Sequence, residues 1–288
     1  QASSGEEPLD LIVLPEGALP YGAYRPLYDL KTMETVWEEC FGLLAVGRLP
    51  PLSMPQAQLE KGRWKVSNAY WVQALAAHYQ ADVIVGLDDG HYNAAFLFHP
   101  QPISPQRYEK RILVPIAEYI PFRGLQLFAD FIASQFGITE SFLAGDRAAV
   151  LQSKVPLSVS ICYEETYTEL VRQGRRKGAE LLVNVTNDAW FPSSLLAKQH
   201  FDHGILRSVE NGAAVLRACN TGITGGVDRF GRVIDTLPPS EESPGALMVS
   251  VPSQAHETWY TLWGDTAILL ASGLSVGIWV YSKRKTLL

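Results

Sequence analysis

Short apolar runs recur along the chain, and longer segments with apolar residues at helical spacing separate several of them. A run of four to eight apolar residues without strict alternation is typical of a strand buried on both faces. The runs predict strands at residues 9–14, 82–87, 94–98, 112–114, 157–161, 181–185, 213–217 and 247–251. The periodic segments predict helices at residues 33–44, 64–79, 125–136, 166–177 and 195–211. Strands interleaved with helices indicate an α/β fold in which helices cover the sheets.

A hairpin is predicted at residues 223–234, where Gly231 supplies a positive φ in the turn. The composition fits one large domain with a tail, because 288 residues that are 47% hydrophobic are enough to bury a single large core. The net charge of -6 and the lack of a long basic stripe argue against a nucleic-acid-binding function. The basic cluster at residues 172–177 is expected to be solvated at a helix C-terminus.

Three reactive side chains each stand where a predicted strand runs into a loop: Glu16, Lys110 and Cys162. Cys162 follows the strand at residues 157–161 and precedes a predicted helix at 164–177. A helix N-terminus and a nearby cation both favour the thiolate, which is the form that attacks a carbonyl carbon. We expect Glu16 to take the thiol proton and Lys110 to stabilise the oxyanion. Each residue alone has an ordinary structural explanation, and the flanking sequences favour the chemical one.

Five segments carry a resemblance to a known family: LPEGALP, YEKRILVPIAEYIPF, ICYEETY, LLVNVTNDAWF and LRACNTGITGGVDRFGRVI. In this order they resemble the nitrilase, or carbon-nitrogen hydrolase, superfamily. Within it they are most similar to the periplasmic domain of the apolipoprotein N-acyltransferases. The resemblance extends over residues 9–251. It implies a nitrilase-like four-layer α-β-β-α sandwich, which we expect to be followed by one C-terminal transmembrane helix.

The resemblance also implies roles for particular side chains. Glu16 would be the general base, Lys110 the oxyanion-stabilising group and Cys162 the nucleophile. Three neighbours would support them: Glu118 as a second essential acid, with Tyr163 and Glu164 beside the nucleophile. The aromatic residues Trp190 and Phe191 follow the predicted strand at residues 181–185. Two roles stay open for these side chains: packing in the core, or guidance of acyl chains.

The activity implied is transfer of a fatty acyl chain from a phospholipid, through a Cys162 thioester, to the N-terminal diacylglyceryl-cysteine amine of an apolipoprotein. No metal or other cofactor is implied, because the acyl group stays on sulfur between the two substrates. Two alternatives stay open. One is a carbon-nitrogen hydrolase that uses water on a small amide or nitrile, and the other is an inactive membrane-tethered fragment.

The C-terminal segment predicts a membrane anchor. Residues 262–281 carry one charge, Asp265, and about 20 helical residues span a bilayer core of about 30 Å. Aromatic residues flank the run as interfacial belts do, and Lys283, Arg284 and Lys285 follow it. Because positive residues that flank a membrane helix favour the cytoplasmic side, these residues predict a cytoplasmic C-terminus. The catalytic domain would then be periplasmic, on the bacterial inner membrane. A helix docked on the domain is the alternative. The predicted division is 1–258 for the catalytic domain and 259–288 for the anchor and tail.

Family members begin with a strand and a long helix before the Pro-Glu motif, and a bundle of membrane helices precedes these. Here the first predicted strand begins at Leu9. We therefore expect this chain to be a fragment, a truncated reading frame or the product of a split gene, and a separate N-terminal membrane-helix half stays open as a partner.

Two other residue sets bear on disulfides and metals. Three cysteines, Cys40, Cys162 and Cys219, are too few for a disulfide framework in a chain of this length, and a Cys40–Cys219 pair stays open. The histidine and aspartate clusters lack a convincing third and fourth ligand, so structural or surface roles are favoured over a metal site; they are Asp88, Asp89 and His91, and His200, Asp202 and His203.

Overall fold

The computed structural model of the protein describes residues 8–121, 141–189, 194–239 and 244–286. Within these residues the strands are β1 (Leu11–Glu16), β2 (Tyr28–Asp29), β3 (Ala57–Glu60), β4 (Arg63–Val66), β5 (Asp82–Asp88), β6 (Asn93–Phe98), β7 (Gln106–Glu109), β8 (Leu157–Ile161), β9 (Leu181–Thr186), β10 (Ala214–Cys219), β11 (Thr224–Val227) and β12 (Val233–Leu237). The α-helices are α1 (Leu30–Phe41), α2 (Leu43–Val46), α3 (Asn68–Tyr79), α4 (Thr168–Arg176), α5 (Leu196–Asn211), α6 (Trp259–Trp263) and α7 (Thr266–Thr286), and a 3₁₀ helix covers Cys162–Thr166. The helix predicted at residues 125–136 lies outside the described residues.

Two sheets pack face to face at the centre of the domain. The first has the order β1-β5-β6-β7, with β1 parallel to β5 and the other pairs antiparallel. The second has the order β12-β11-β10-β9-β8, in which β8, β9 and β10 are parallel. Ile84 and Leu97 of the first sheet share a buried core with Val159 and Val183 of the second. This core holds the two sheets together.

Helices cover the outer face of each sheet. Val72 and Ala76 of α3 pack against Phe96 of the first sheet. Leu170 of α4 and Phe201 of α5 pack in one core with apolar residues of β9 and β10. The predicted α/β fold, with helices covering stacked sheets, is confirmed. A smaller three-stranded sheet of order β2-β4-β3 lies beside α1 and encloses its own core around Trp37.

The strand predicted at residues 112–114 is wrong. The edge strand β7 ends at Glu109, and the apolar residues that follow Lys110 form a loop. In that loop the backbone N–H groups of Arg111 and Ile112 donate to Glu164 Oε1 at 2.7 and 3.0 Å. Since a carboxylate takes these donors, the segment joins no ladder.

The strand predicted at residues 247–251 is also wrong, and these residues alternate between half-buried and exposed. A Cβ added to Gly226 of β11 would lie 3.0 Å from the Val249 side chain, so Val249 lies over the face of that strand. Both edges of β11 are already paired, with β10 and β12. The apolar run therefore contributes to the core without adding a strand.

Several helix boundaries in the structure differ from the predicted ones. The helix predicted at 64–79 begins at Asn68, because residues 63–66 pair with β3 as β4. The helix predicted at 33–44 ends at Phe41, before Gly42 with φ 84°. The helix predicted from residue 164 is a 3₁₀ turn followed by α4. The hairpin is confirmed, with Gly231 at φ 80° between β11 and β12.

The basic cluster at residues 172–177 is less solvated than expected. Arg172 is buried, and its Nη1 donates to the carbonyl oxygen of Thr261 at 3.0 Å. Arg175 donates to the carbonyl oxygens of Asn211 and Ala179. These arginines tie α4 to α6 and to the end of α5.

Helix α7 is the one helix in the described residues that is long and apolar enough to cross a membrane, by length and composition. None of its window Thr266–Lys283 is buried against the rest of the protein. The alternative of a helix docked on the domain does not agree with this exposure.

Candidate active site

The three predicted reactive residues meet at one end of the stacked sheets. Glu16 is the last residue of β1, Lys110 directly follows β7, and Cys162 directly follows β8. Strands β1 and β8 belong to different sheets, so face-to-face packing brings their carboxyl ends together. Lys110 Nζ lies 3.3 Å from Glu16 Oε1, and the charges of both residues act on the Cys162 thiol.

The Lys110 side chain is 1% exposed and lies between two carboxylates. Its Nζ donates to Glu118 Oε1 at 2.8 Å and to Glu16 Oε1 at 3.3 Å. Burial alone would lower its pKa, but Glu16, Cys162 and Glu118 together raise the pKa well above the ordinary 10.5. Lys110 is therefore held as an ammonium ion. Glu118 lies beside the lysine, as the family resemblance implies.

Asn93 is a site residue that the sequence did not predict. It is buried at the start of β6, and its Nδ2 donates to Glu16 Oε1 at 2.7 Å and to Glu118 Oε1 at 2.6 Å. Its carbonyl oxygen also accepts from the Lys110 backbone N–H at 2.8 Å. Asn93 thus joins both carboxylates and the lysine. A single asparagine at the start of an apolar run does not indicate, from the sequence alone, that it bridges two carboxylates.

The Cys162 thiol is protonated at neutral pH, contrary to the expectation of a thiolate. Burial and the negative charge of Glu16 raise its pKa to about 12, against the lowering effects of Lys110 and of a hydrogen bond with Thr186. The expected helix N-terminus is a five-residue 3₁₀ turn that begins at Cys162 itself. The residue also adopts φ 55°, a left-handed conformation that is strained for a side chain other than glycine.

Glu164 supports the nucleophile turn through its hydrogen bonds. The carboxylate is fully buried, and Oε2 accepts from the Ile161 N–H at 2.9 Å and from the Tyr108 hydroxyl at 3.0 Å. Oε1 accepts from the Arg111 and Ile112 N–H groups of the loop after Lys110. Burial raises the pKa of Glu164, although these backbone donors oppose the shift. One side chain therefore fixes the distance between two parts of the site.

Tyr163 lies on the same turn and faces the lysine. Its ring centroid is 5.8 Å from Lys110 Nζ, and its hydroxyl donates to the Leu113 carbonyl oxygen at 2.8 Å. The other predicted aromatic residues, Trp190 and Phe191, lie outside the described residues.

A second polar network lies behind the turn, on the helix-covered face of the second sheet. Buried Arg217 donates through Nε to Glu165 Oε1 at 3.2 Å and through Nη2 to Asp188 Oδ2 at 3.1 Å. Asp188 Oδ1 lies 2.9 Å from His200 Nδ1. Burial raises the pKa of Asp188, but His200 and Arg217 lower it to about 2. Apart from the structural role predicted for His200, sequence reasoning missed this network.

The described residues contain no group of three or more His, Cys, Asp or Glu side chains placed to hold a metal ion. The three cysteines are free, with Cys40 exposed and Cys219 buried, so no Cys40–Cys219 disulfide forms.

The family model of the carbon-nitrogen hydrolases matches residues 1–273. The chain belongs to the carbon-nitrogen hydrolase family. It is similar to the apolipoprotein N-acyltransferase of Chlamydia caviae, with 37% identity over 289 residues that cover 94% of this chain and 50% of the relative. It is also similar to that of Chlamydia trachomatis, with 36% identity covering 97% of this chain and 52% of the relative. The resemblance predicted from the motifs is confirmed, and the chain spans about half the length of these relatives.

Solved structures show likenesses as well. One is XC1258 from Xanthomonas campestris, a CN-hydrolase superfamily protein, with 16% identity, a TM-score of 0.49, and coverage of 81% of this chain and 75% of that one. Another is a carbon-nitrogen hydrolase from Helicobacter pylori, with 18% identity, a TM-score of 0.49 and the same coverage. The family assignment rests on the sequence match.

The raised pKa of Cys162 predicts its reactivity. Because the thiol titrates near 12, alkylation of Cys162 by iodoacetamide should accelerate about tenfold per pH unit from pH 7 to 10, without a plateau. Lys110→Met removes a charge that lowers this pKa, so alkylation at a given pH should be slower. Mass spectrometry of the Cys162 peptide separates this reaction from that of exposed Cys40. A plateau below pH 9 would contradict the burial and charge assigned to the thiol.

Asn93→Ala removes two donors from buried carboxylates. We expect the free energy of unfolding to fall by about 1–3 kcal/mol, because each carboxylate loses a buried partner. Asn220→Ala is the matched control, since Asn220 is exposed and its side chain donates to Asn187 Oδ1 at a long 3.4 Å. Urea denaturation in detergent measures both variants. Equal stabilities of the two variants would argue against the bridging role of Asn93.

Proposed function

We propose that the protein is an N-acyltransferase that moves a fatty acyl chain from a phospholipid to the α-amine of the N-terminal diacylglyceryl-cysteine of an apolipoprotein. The observation that carries the proposal is the buried Lys110 ammonium, held between Glu16 and Glu118 and acting on the Cys162 thiol. The relatives named apolipoprotein N-acyltransferase support the class of acceptor.

In the first step, Cys162 Sγ attacks the ester carbonyl carbon of the phospholipid. The raised pKa of the thiol requires Glu16 to accept its proton during the attack. The Lys110 ammonium stabilises the oxyanion of the tetrahedral intermediate, and its buried position strengthens that interaction. The ester C–O bond then breaks, Glu16 returns the proton to the leaving oxygen, and a lysophospholipid departs. The acyl chain remains as a thioester on Cys162.

In the second step, the neutral α-amine of the acceptor attacks the thioester carbonyl. Glu16 takes a proton from the amine, and Lys110 again stabilises the oxyanion. The C–S bond breaks, the departing Cys162 sulfur recovers the proton, and an amide is formed. Glu118 and Asn93 hold the lysine and the base in place through both steps. Glu164 and Tyr163 support the nucleophile turn and take no direct part in the chemistry.

The membrane context is part of the same proposal. Helix α7 presents apolar side chains that no other part of the described chain covers, and a single span would place them in lipid. The basic residues at its C-terminal end favour a cytoplasmic C-terminus. Residues 1–258 would then form the catalytic domain on the periplasmic side of the inner membrane, with 259–288 as anchor and tail. A further membrane-embedded part, on the same or a separate polypeptide, would account for the remaining length of the relatives.

A second candidate is hydrolysis of a small amide with water as the acyl acceptor, which membership of the carbon-nitrogen hydrolase family favours. The same three residues would serve in that reaction. The apolar and uncovered helix α7 favours substrates that reside in lipid, and so the acyltransferase.

The proposal predicts an acyl adduct on Cys162. Intact-protein mass spectrometry after incubation with phospholipid in detergent should show one fatty-acyl mass, which hydroxylamine removes because thioesters are labile to it. Cys162→Ala should abolish the adduct, whereas Cys40→Ala, a change at an exposed free cysteine, should retain it.

Three results would count against the proposal. An undiminished adduct in Cys162→Ala would show that Cys162 is not the nucleophile. A folded wild-type chain that forms no adduct but hydrolyses a small amide would identify the hydrolase. A folded chain with neither reaction would identify an inactive fragment.

A further inference from the structure

A small cavity lies behind the nucleophile turn, between the second sheet and helix α5. Its volume is about 10 Å³, close to the least space in which a protein holds one water molecule. The residues that line it are buried and include Glu165, Asn184, Gly204 and Arg207. The cavity is separate from the cluster of Glu16, Lys110 and Glu118, because it lies on the other face of the sheet that carries Cys162.

Three polar atoms on the side chains that line the cavity lack a hydrogen-bond partner within the described part of the chain. Among the residues that the structure describes, Glu165 Oε2, Asn184 Oδ1 and Arg207 Nε are buried and have no hydrogen-bond partner. The three residues are 2%, 1% and 4% exposed. A buried polar atom without a partner costs about 1–3 kcal/mol. Three such atoms around one cavity therefore indicate a ligand that satisfies them together.

The other polar atoms of these side chains are already engaged, which fixes their orientations. Glu165 Oε1 accepts from Arg217 Nε at 3.2 Å. Arg207 Nη1 donates to the Glu165 carbonyl oxygen at 3.3 Å. Asn184 Nδ2 donates to the Cys162 carbonyl oxygen at 3.0 Å. The asparagine amide therefore directs Oδ1 away from the turn, and the side chains cannot rotate to satisfy one another without breaking existing bonds.

The donor and acceptor count matches one water molecule. Glu165 Oε2 and Asn184 Oδ1 accept, and Arg207 Nε donates, so a water that donates twice and accepts once satisfies all three. Three hydrogen bonds is also the usual number for a buried water. We propose that this cavity binds one structural water, which bridges Glu165, Asn184 and Arg207 and positions the nucleophile through Asn184.

Gly204 provides the space for this water. An added Cβ at this position of α5 would lie 3.3 Å from Glu165 Oε2, on the carboxylate oxygen that lacks a partner. A methyl group there would occupy the site without removing any polar group. Glycine in a helix interior is otherwise unfavourable relative to alanine, so its presence fits a requirement for room.

The water connects to the chemistry through the backbone of Cys162. That residue is strained at φ 55°, and the Asn184 amide is one of the groups that hold its carbonyl oxygen. Satisfying Asn184 Oδ1 keeps the amide in the orientation in which Nδ2 reaches the turn. Asn184 is thus a positioning residue, and the bridging water is part of the same support. This role is independent of whether the acyl acceptor is an amine or water.

The competing arrangement needs no water. Burial raises the pKa of Glu165, although Arg217 opposes the shift. A protonated Glu165 would donate directly to Asn184 Oδ1 and leave Arg207 Nε without a partner. The two arrangements differ in an observable distance and an observable density peak.

A high-resolution crystal structure of the full chain tests the site directly. We expect one density peak with hydrogen-bond distances of about 2.7–3.2 Å to Glu165 Oε2, Asn184 Oδ1 and Arg207 Nε. A direct Glu165–Asn184 hydrogen bond, or an empty cavity, would overturn the proposal. This experiment needs no substrate, so its failure is distinct from failure of the proposed acyl transfer.

Gly204→Ala tests the positioning role, with Gly47→Ala as the matched control. Gly47 has a helical φ of -67°, and a Cβ there would meet nothing closer than 3.7 Å. Both glycines have right-handed helical backbone, Gly204 inside α5 and Gly47 directly after α2, so alanine at either position should raise the unfolding midpoint through its backbone preference alone. Displacement of the water should instead lower the midpoint of Gly204→Ala.

The same variants distinguish local support from general stability. Hydrogen exchange of the backbone amides in residues 160–167, measured by mass spectrometry, should be at least about tenfold faster in Gly204→Ala, because local opening becomes easier. It should be unchanged in Gly47→Ala. A raised midpoint and unchanged exchange in Gly204→Ala would overturn the positioning role.

Discussion

The ammonium group of Lys110 is the constraint on which the site depends. A buried cation is costly unless opposite charges and hydrogen bonds compensate it. Here the compensation comes from Glu16 at the end of β1 and from Glu118 in a loop, and Asn93 hydrogen-bonds to both carboxylates. If either carboxylate moved, the lysine would lose its charge compensation. The fold must therefore keep separate parts of the chain in contact at one point.

Two consecutive carboxylates hold the nucleophile turn from opposite sides of its sheet. Glu164 binds backbone N–H groups of the turn and of the loop after Lys110, so it ties Cys162 to the lysine. Glu165 points into the helix-covered side and pairs with Arg217. Between them the turn adopts a strained conformation at Cys162, as buried and over-determined positions at functional sites often do. The resulting thiol is protonated at rest, and its activation falls to Glu16.

Local patterns predicted the parts of the structure that local forces determine. Strand β8 has the predicted bounds, residues 157–161, and Cys162 follows it as the pattern requires. The family resemblance predicted that Glu118 lies beside Lys110, and in the structure Lys110 contacts both Glu118 and Glu16. The errors arise where distant groups decide. Residues 112–114 are apolar enough for a strand, but Glu164 accepts from the backbone N–H groups of Arg111 and Ile112. Asn93 and Arg217 act through tertiary contacts, which no spacing in the sequence reveals.

The central claim is that Lys110 is a buried ammonium ion held by its two carboxylates. The most direct test is titration of the ¹⁵Nζ resonance of Lys110 by NMR, with Lys110→Met to assign the signal and Glu118→Gln as the perturbed variant. The account predicts a pKa well above the ordinary 10.5 in the wild type and a lower pKa in Glu118→Gln. A Lys110 resonance that titrates at or below 10.5, or that does not respond to Glu118→Gln, would contradict it.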